Sequence, residues 1–480
     1  MISHVTNSLQ AALSRLNPTA QVSKASVALP AAASASAKVM FGSQSSEIAE
    51  IYSISPQKRV TTPAGMNSTQ IQNLMHSVMT SGPSIGFNGL GSALLAQLQD
   101  NPGDLTQVLT TAQVGESAVR AGQDSAVALT ITTQTGVTVS LSLTRQSDGM
   151  AVEIKTSGTL SKDESEAIAG LGEAFQKALN GLAQQPPKMD LSGLTKFDSS
   201  ILKSVDLKTD IRSGDTKLQS LNFRADDVER WVAYQDQDVS LKMTSDRSQS
   251  TIGGNAAQQL LTLSAYDKQF DQARSDGHGD KAQMDMLKSV FRALNESSPS
   301  QQSEATTAAS TAIRLGSTAA SRLSGLNDFS LELTQTEKSI NPYRQDEKQS
   351  FSYQASQTTE NNRLFDGSGT IKQTNHAHLS ASWYKPVDAS IPLSLNMMKS
   401  SQNYYYHQLE QDSVNTTTLN FTPQRQLSSV GTTSPLSNRE TVTKYVLGEV
   451  FESLPPPEDT YKETPINLMA DNCISDSSLF

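Results

Sequence analysis

The sequence predicts an α+β fold in which an antiparallel hairpin sheet packs with one long helix, followed by a helical hairpin and a C-terminal β-rich region. Three observations carry that prediction. Alternating apolar residues with turn signals between them recur from Asp124 to Met243, as half-buried strands require. A capped helical stripe interrupts them after Ser161, and helical spacing returns from Asn255 to Leu326 before a second alternating tract begins.

The elements follow in order. From Met1 to Leu16, Val5, Leu9, Leu13 and Leu16 stand at helical intervals, and from about Pro18 to Gly65 no periodicity is sustained. Such a segment cannot bury enough surface to offset its ordering entropy, so it reads as disordered. Ile71, Leu74, Met75 and Val78 share one helical face, and Leu90, Leu94, Leu95 and Leu98 share another. Val127, Leu129 and Ile131 alternate into a Thr135-Gly136 turn, Val137 to Leu143 alternate back, and Asp148-Gly149 leads to a third strand through Val152 and Ile154. Ser161 with Glu164 forms a capping box for a helix over roughly 162 to 181, with Ile168, Leu171, Phe175 and Leu179 on its apolar side.

Beyond Pro186-Pro187 short alternating runs at Val205 to Ile211, Leu218 to Phe223, Arg230 to Tyr234 and Val239 to Met243 predict meander strands. Leu260, Leu263, Tyr266 and Phe270, then Met284, Leu287, Val290, Phe291 and Leu294, predict a helical hairpin around the polar loop Ser275 to Asp280. Long strands are expected around His376 to Tyr384 and Asn403 to Phe421, with hydroxyls and amides on their faces, and a flexible tail from Pro455. The expected organisation is 1–65 amphipathic helix and linker, 66–118 short helices, 119–250 an α+β unit, 251–326 the helical hairpin, 327–454 the β-rich region and 455–480 the tail.

Composition narrows function by exclusion. Hydrophobic residues make up 36% of the 480 and charged residues 18%. The apolar share is roughly 39% when Gly is counted and Tyr is not, below the globular average of about 45–50%. A net charge of -10 without a Lys/Arg cluster argues against nucleic acid as a partner. The one cysteine, Cys473, excludes a disulfide framework, a Cys metal site and a CxxC pair. No run approaches the 18 to 20 or so apolar residues of a membrane span. These features predict a cytoplasmic protein. The absence of Asp and Glu before Glu47 fits non-classical export as the alternative.

The motif search yields weak candidates. Gly86 to Gly91 opens a helix but matches neither GxGxxG nor a P-loop, and Gly170/Gly172, Gly253-Gly254 and Gly367/Gly369 fail the same test. Asp276-Gly277-His278-Gly279-Asp280 lacks the ligand ladder of a calcium loop and reads as a polar turn. His376 and His378 stand two apart on an expected strand, with His407 and Glu410 in the same region, the beginnings of a metal site if they converge and an exposed pair if they do not. Tyr404-Tyr405-Tyr406 offers either cross-strand packing or a stacking platform. No catalytic residue and no cofactor site is assigned.

Gly89-Leu90-Gly91-Ser92-Ala93-Leu94-Leu95, Val137 to Leu143 with Asp148-Gly149, Gly158-Thr159-Leu160-Ser161 through Glu164, Gln185-Pro186-Pro187 and Ser401-Gln402-Asn403-Tyr404 together resemble a gammaproteobacterial, mainly pseudomonad-type family of uncharacterised function. Some of its members carry the label lactate dehydrogenase. That activity needs a dinucleotide fold, a carboxylate-oriented His and an Arg clamp, and the order of elements here supplies no such fold. The sequence therefore predicts a non-catalytic interaction or structural protein with a protein partner and no membrane. The alternatives are an enzyme, as the label claims, and an exported effector or surface-associated protein.

Overall fold

The computed structural model describes residues 69–80, 87, 89–110, 125–146, 149–213, 216–248, 256–296, 322–424 and 426–454, with short strand pieces at 59–61 and 466–467. The chain separates into a unit of residues 1–59 and a unit of residues 60–480. The helices and long strands described below all belong to the second unit. The expected linker at 18–65 and the tail from 455 lie outside the described residues, apart from those two short pieces.

The described residues form 6 helices and 15 strands of six residues or more, all antiparallel in one sheet. In chain order these are α1 Thr69–Thr80, α2 Leu90–Asp100, β1 Leu105–Thr110, β2 Ser125–Thr133, β3 Thr138–Gln146, β4 Gly149–Thr156, α3 Lys162–Gly170 and α4 Gly172–Leu182. Then come β5 Leu202–Ser213, β6 Thr216–Asp226, β7 Glu229–Asp236, β8 Val239–Asp246, α5 Ala256–Asp276 and α6 Lys281–Asn295. The C-terminal half holds β9 Asp328–Gln335, β10 Ser350–Arg363, β11 Gly369–Pro386, β12 Tyr404–Phe421, β13 Leu427–Thr433, β14 Leu436–Val446 and β15 Glu449–Leu454.

The spatial order is β1-β4-β3-β2-β5-β6-β7-β8-β9-β10-β11-β12, after which β13 and β14 lie end to end along β12 and β15 follows β14. From β5 to β12 each strand pairs with the next in sequence. The boundaries expected at 250 and 327 fall on either side of the helical hairpin, and the sheet runs across them because β8 pairs with β9 along the whole of Asp328–Gln335.

One face of the sheet is the core, as the alternation requires. A row of directly opposed residues crosses it from Leu141 through Leu129, Leu207, Phe223, Val232 and Met243 to Leu331, Ala355, Ala377 and Ser413. All but the last two are buried. The helices cover this face, and the opposite face carries paired charges such as Arg224 between Asp206 at 2.8 Å and Asp226 at 3.0 Å.

The helix expected over 162 to 181 is two helices. The chain turns at Leu171 between Gly170 and Gly172, and a Cβ on Gly172 would lie 3.2 Å from the Ser92 carbonyl of α2. Close packing of α2 on the turn explains the break. The apolar side is as expected, with Ile168, Phe175 and Leu179 buried. The capping box is also present. Ser161 Oγ accepts from the Glu164 amide at 3.2 Å, and Glu164 accepts from the Ser161 amide at 2.8 Å and from Thr135 Oγ1 at 2.6 Å. Thr135 sits in the β2–β3 turn, so one carboxylate ties that hairpin to α3.

Two further differences have local causes. The segment 66–118 holds α1 and α2 as expected but also β1, whose partner β4 lies far along the chain. In α5 the buried stripe is Leu263, Tyr266, Phe270 and Ala273, while Leu260 is 59% exposed, and in these first turns it is Gln258, Gln259 and Thr262 that face the chain, donating to the carbonyls of Leu323, Gly325 and Ser324. Phe270 and Phe291 meet edge to face at 5.1 Å, and Phe291 meets Phe329 of β9 at 5.1 Å, which fixes the helical hairpin to the sheet.

Two outcomes test this packing. Phe175→Ala lowers the unfolding free energy by about 3–5 kcal/mol in urea titration, since the ring is wholly buried among α2 and the sheet. The Thr135 hydroxyl, and after it the Ser161 amide, hold the Glu164 carboxyl at about 2. An unfolded carboxyl near 4.3 takes up a proton first, so this contribution is complete above about pH 5 and disappears as pH falls through 2. Glu164→Gln removes it, costing about 1–3 kcal/mol at pH 7 and flattening the acid limb of the stability curve.

Candidate functional site

The helical cover ends over β10. Where α5 leaves the sheet, a cleft of about 530 Å³ opens between its C-terminal half and the core faces of β10, β11 and β12. Its size lies in the range of small-ligand sites. Tyr266, Gln269 and Gln272 of α5 form one wall, and Leu323 with Ser324 closes one end. The floor is set by strand parity. Asn375 lies opposite Asn415, Ala377 opposite Ser413 and Leu379 opposite Gln411 in the β11–β12 register.

The polar groups of this floor are partly tied. Tyr266 donates its hydroxyl to Asn375 Oδ1 at 3.0 Å, and Ser434 Oγ donates to Asn415 Oδ1 at 2.9 Å. Both carbonyl oxygens thereby accept a hydrogen bond from a neighbouring hydroxyl. Asp276 at the rim accepts from Gln272 at 2.6 Å and Gln411 at 3.4 Å. Gln373 accepts from the Ser324 amide at 2.8 Å and donates to Thr359 Oγ1 at 3.1 Å, which anchors the closing end. Tyr353 is 2% exposed, and its hydroxyl lies beside the Gln269 side chain without completing a well-formed hydrogen bond to it. Burial pushes the hydroxyls of Tyr266 and Tyr353 well above the usual tyrosine range. Both stay protonated donors.

The candidate histidines divide between the two faces of the sheet. His376 and His378 share the face opposite the core, where His376 Nε2 lies 2.6 Å from Asp412 and His378 lies 3.3 Å from Glu410 and 3.5 Å from Asp412. His407 is on the core face, stacked on Trp383 at 5.0 Å with 6° between the ring planes and 2.8 Å from Glu440. His278 covers the other side of Trp383 at 4.5 Å. His407 therefore does not converge with His376 and His378. Among the described residues no group of three or more His, Cys, Asp or Glu is placed to hold a metal ion.

The remaining motifs resolve into structure. The Gly91 amide at the start of α2 donates to Gln176 Oε1 at 2.9 Å, and a Cβ there would meet the Phe175 ring at 2.9 Å, so this helix N-terminus is spent on packing. Residues 86 and 88 of that motif, and Gly253-Gly254, lie outside the described residues. In the 276–280 turn, Asp280 caps α6 by accepting from the Gln283 amide at 2.9 Å, and Gly277 and Gly279 press on the Phe351 ring. Tyr404 and Tyr406 pack across strands against Tyr445 and Tyr384. Tyr404 is buried, donating to Glu347 Oε2 at 2.7 Å.

The comparisons add no relative: no family model, curated protein or solved structure matches the chain. No helix among the described residues is long and apolar enough to cross a membrane.

The two tyrosine hydroxyls make a paired test by chemical denaturation. Tyr404→Phe removes one of the tyrosine hydroxyls, beside that of Tyr445, that serve the buried Glu347 carboxylate and costs about 1–3 kcal/mol. Tyr353→Phe removes a buried hydroxyl that has no well-formed hydrogen bond, so it leaves stability unchanged or raises it by up to about 1 kcal/mol.

Proposed function

We propose that the protein is a non-catalytic binding protein whose ligand, uncharged and rich in hydrogen-bonding groups, occupies the cleft between α5 and strands β10 to β12. One observation carries this reading. One core-face row stays apolar from Leu129 to Ala377 and ends in Ser413 at the cleft, and beside that end the opposed Asn375 and Asn415 line the cleft floor. The neighbouring row already carries polar side chains beneath the helices, at the buried Arg230, Ser245 and Gln357, and these turn to protein partners or packing, whereas Asn375 and Asn415 open onto the cleft. Water would reward polar groups on any exposed face. A concave floor lined by amides is the additional feature that supports ligand binding.

The enzyme reading finds little support in the same cleft. Acid–base chemistry calls for titratable groups within hydrogen-bond reach of one reacting atom. Here Asp276 is engaged by two glutamines, the tyrosines are held protonated, and His407, stacked on Trp383 and bonded to Glu440, does not line the cleft. A dinucleotide pyrophosphate would need a Gly-rich strand-to-helix turn with free amides, and the Gly91 amide is taken. The proposal therefore sets aside the lactate dehydrogenase label and any nucleic-acid partner. It keeps the cytoplasm as the expected compartment.

Two measurements test the reading. Calorimetric titration with NAD and NADH, beside assays with lactate and pyruvate, gives no saturable binding and no turnover; turnover overturns it. Hydrogen-exchange mass spectrometry of the full chain with the low-molecular-mass fraction of a cell extract shows slowed exchange confined to 262–276, 373–379 and 411–417. Slowing elsewhere with none in these segments removes the cleft as the site.

A further inference from the structure

We propose that the ligand is a neutral oligosaccharide, held by the carboxamides of Asn375 and Asn415 on the cleft floor and of Gln269 on the α5 wall; this rests on the cleft being the binding site. A carboxamide nitrogen carries two N–H donors, and each hydroxyl of a sugar ring can accept from them. Asn375 and Asn415 are directly opposed across β11 and β12, so the floor brings two such amides side by side, with their oxygens held by the Tyr266 and Ser434 hydroxyls. Beside them Ala377 and Ser413 are small enough to let a ring approach the sheet.

Charge decides against other small ligands. Among the described residues lining the cleft, Asp276 and Arg322 are the only fixed charges, besides His376, whose Nε2 is taken by Asp412 on the far face. A phosphate or polycarboxylate would lack the clustered cations that it needs. An extended peptide is disfavoured by geometry. Peptide backbones add to sheet edges, where N–H and C=O groups stand unpaired, whereas this floor is a sheet face whose backbone groups are already paired between β11 and β12. The Tyr353 hydroxyl is the remaining feature. It is buried at the cleft beside Gln269 without a well-formed hydrogen bond, a shortfall that a bound hydroxyl would relieve.

The experiment titrates the full chain by calorimetry with maltotriose, cellotriose and chitotriose, and with trigalacturonic acid as the charged control. At least one neutral trisaccharide binds saturably and the charged one does not. Asn375→Ala and Asn415→Ala each weaken that binding about tenfold, and Tyr353→Phe about fivefold, as expected for single lost hydrogen bonds to a buried ligand. Thermal midpoints are measured on each variant, and Tyr353→Phe, which removes no well-formed hydrogen bond, keeps the test alive if an Asn variant fails to fold. Binding unchanged in all three variants overturns the assignment, as does preference for the charged trisaccharide. If no trisaccharide binds while the extract fraction still slows exchange at 373–379 and 411–417, the sugar assignment falls and the cleft stands. If neither acts, both fall.

Discussion

The ladder between β8 and β9 is the interaction on which the rest of the architecture depends. These strands are separated in sequence by the whole helical hairpin, yet they pair residue for residue from Asp246 with Asp328 to Val239 with Gln335. The pairing places Met243 beside Leu331 and Leu241 beside Leu333, so the core rows of the two halves meet in register. A slip of one residue would turn the C-terminal half inside out. With register kept, α5 and α6 can lie over strands from both halves, and the rings of Phe270, Phe291 and Phe329 lock them there. Arg230 reinforces the junction from β7 by donating to the carbonyls of Leu294 at 3.2 Å and Glu296 at 2.8 Å at the end of α6.

A sheet this wide outruns its helices, and the cleft follows from that shortage. Two helices that enter between β8 and β9 meet β11 and β12 through polar contacts of α5, from Tyr266 to Asn375 and from Gln411 to Asp276. Side chains past their reach must tolerate water, and the rows answer by shrinking from Leu331 to Ala355 and Ala377 and then to Ser413. The polar floor is thus a packing consequence before it is a functional one. The groups that exceed this explanation are the Tyr353 hydroxyl, buried without a well-formed hydrogen bond, and the two asparagines whose oxygens are held by neighbours. Local rules broken without a compensating contact mark functional positions more often than structural ones.

Much of the fold was legible locally. The β2–β3–β4 hairpins, the Ser161–Glu164 box and the Met284 to Leu294 stripe each specify their element through neighbours in sequence. What was not legible depends on partners far away. β1 is a strand because β4 accepts it, the helix breaks at Leu171 because Ser92 is close, and in the first turns of α5 Gln258, Gln259 and Thr262, not Leu260, face the distant 323–325 segment. The site behaved the same way. That His376 and His378 share a face follows from their spacing, but His407 is placed by the β11–β12 register, which sets it opposite Trp383 on the other face. The same register brings Asn375 to Asn415. In sequence these were only two polar residues among many on alternating strands, and the amide-bearing faces of that half were foreseen without the pair.

The last strand bears on how such a protein recognises anything. Among the described residues β15 pairs on one side only, with β14, and all six of its residues are exposed. An open edge invites strand addition, and Val450, Phe451 and Leu454 make this one apolar. Yet the register breaks where Phe451 bulges between Val450 and Glu452, Glu449 is held 3.0 Å from Lys399, and the Phe451 ring is covered by Lys444 at 4.8 Å. Pro455-Pro456-Pro457 follows at once. A bulge, two glutamates and a proline run are the features that keep an edge from being extended. With strand addition discouraged at this edge and the charges opposite the core paired with one another, as Arg224 is with Asp206 and Asp226, the cleft between α5 and strands β10 to β12 is the concave surface to which the proposed binding is assigned.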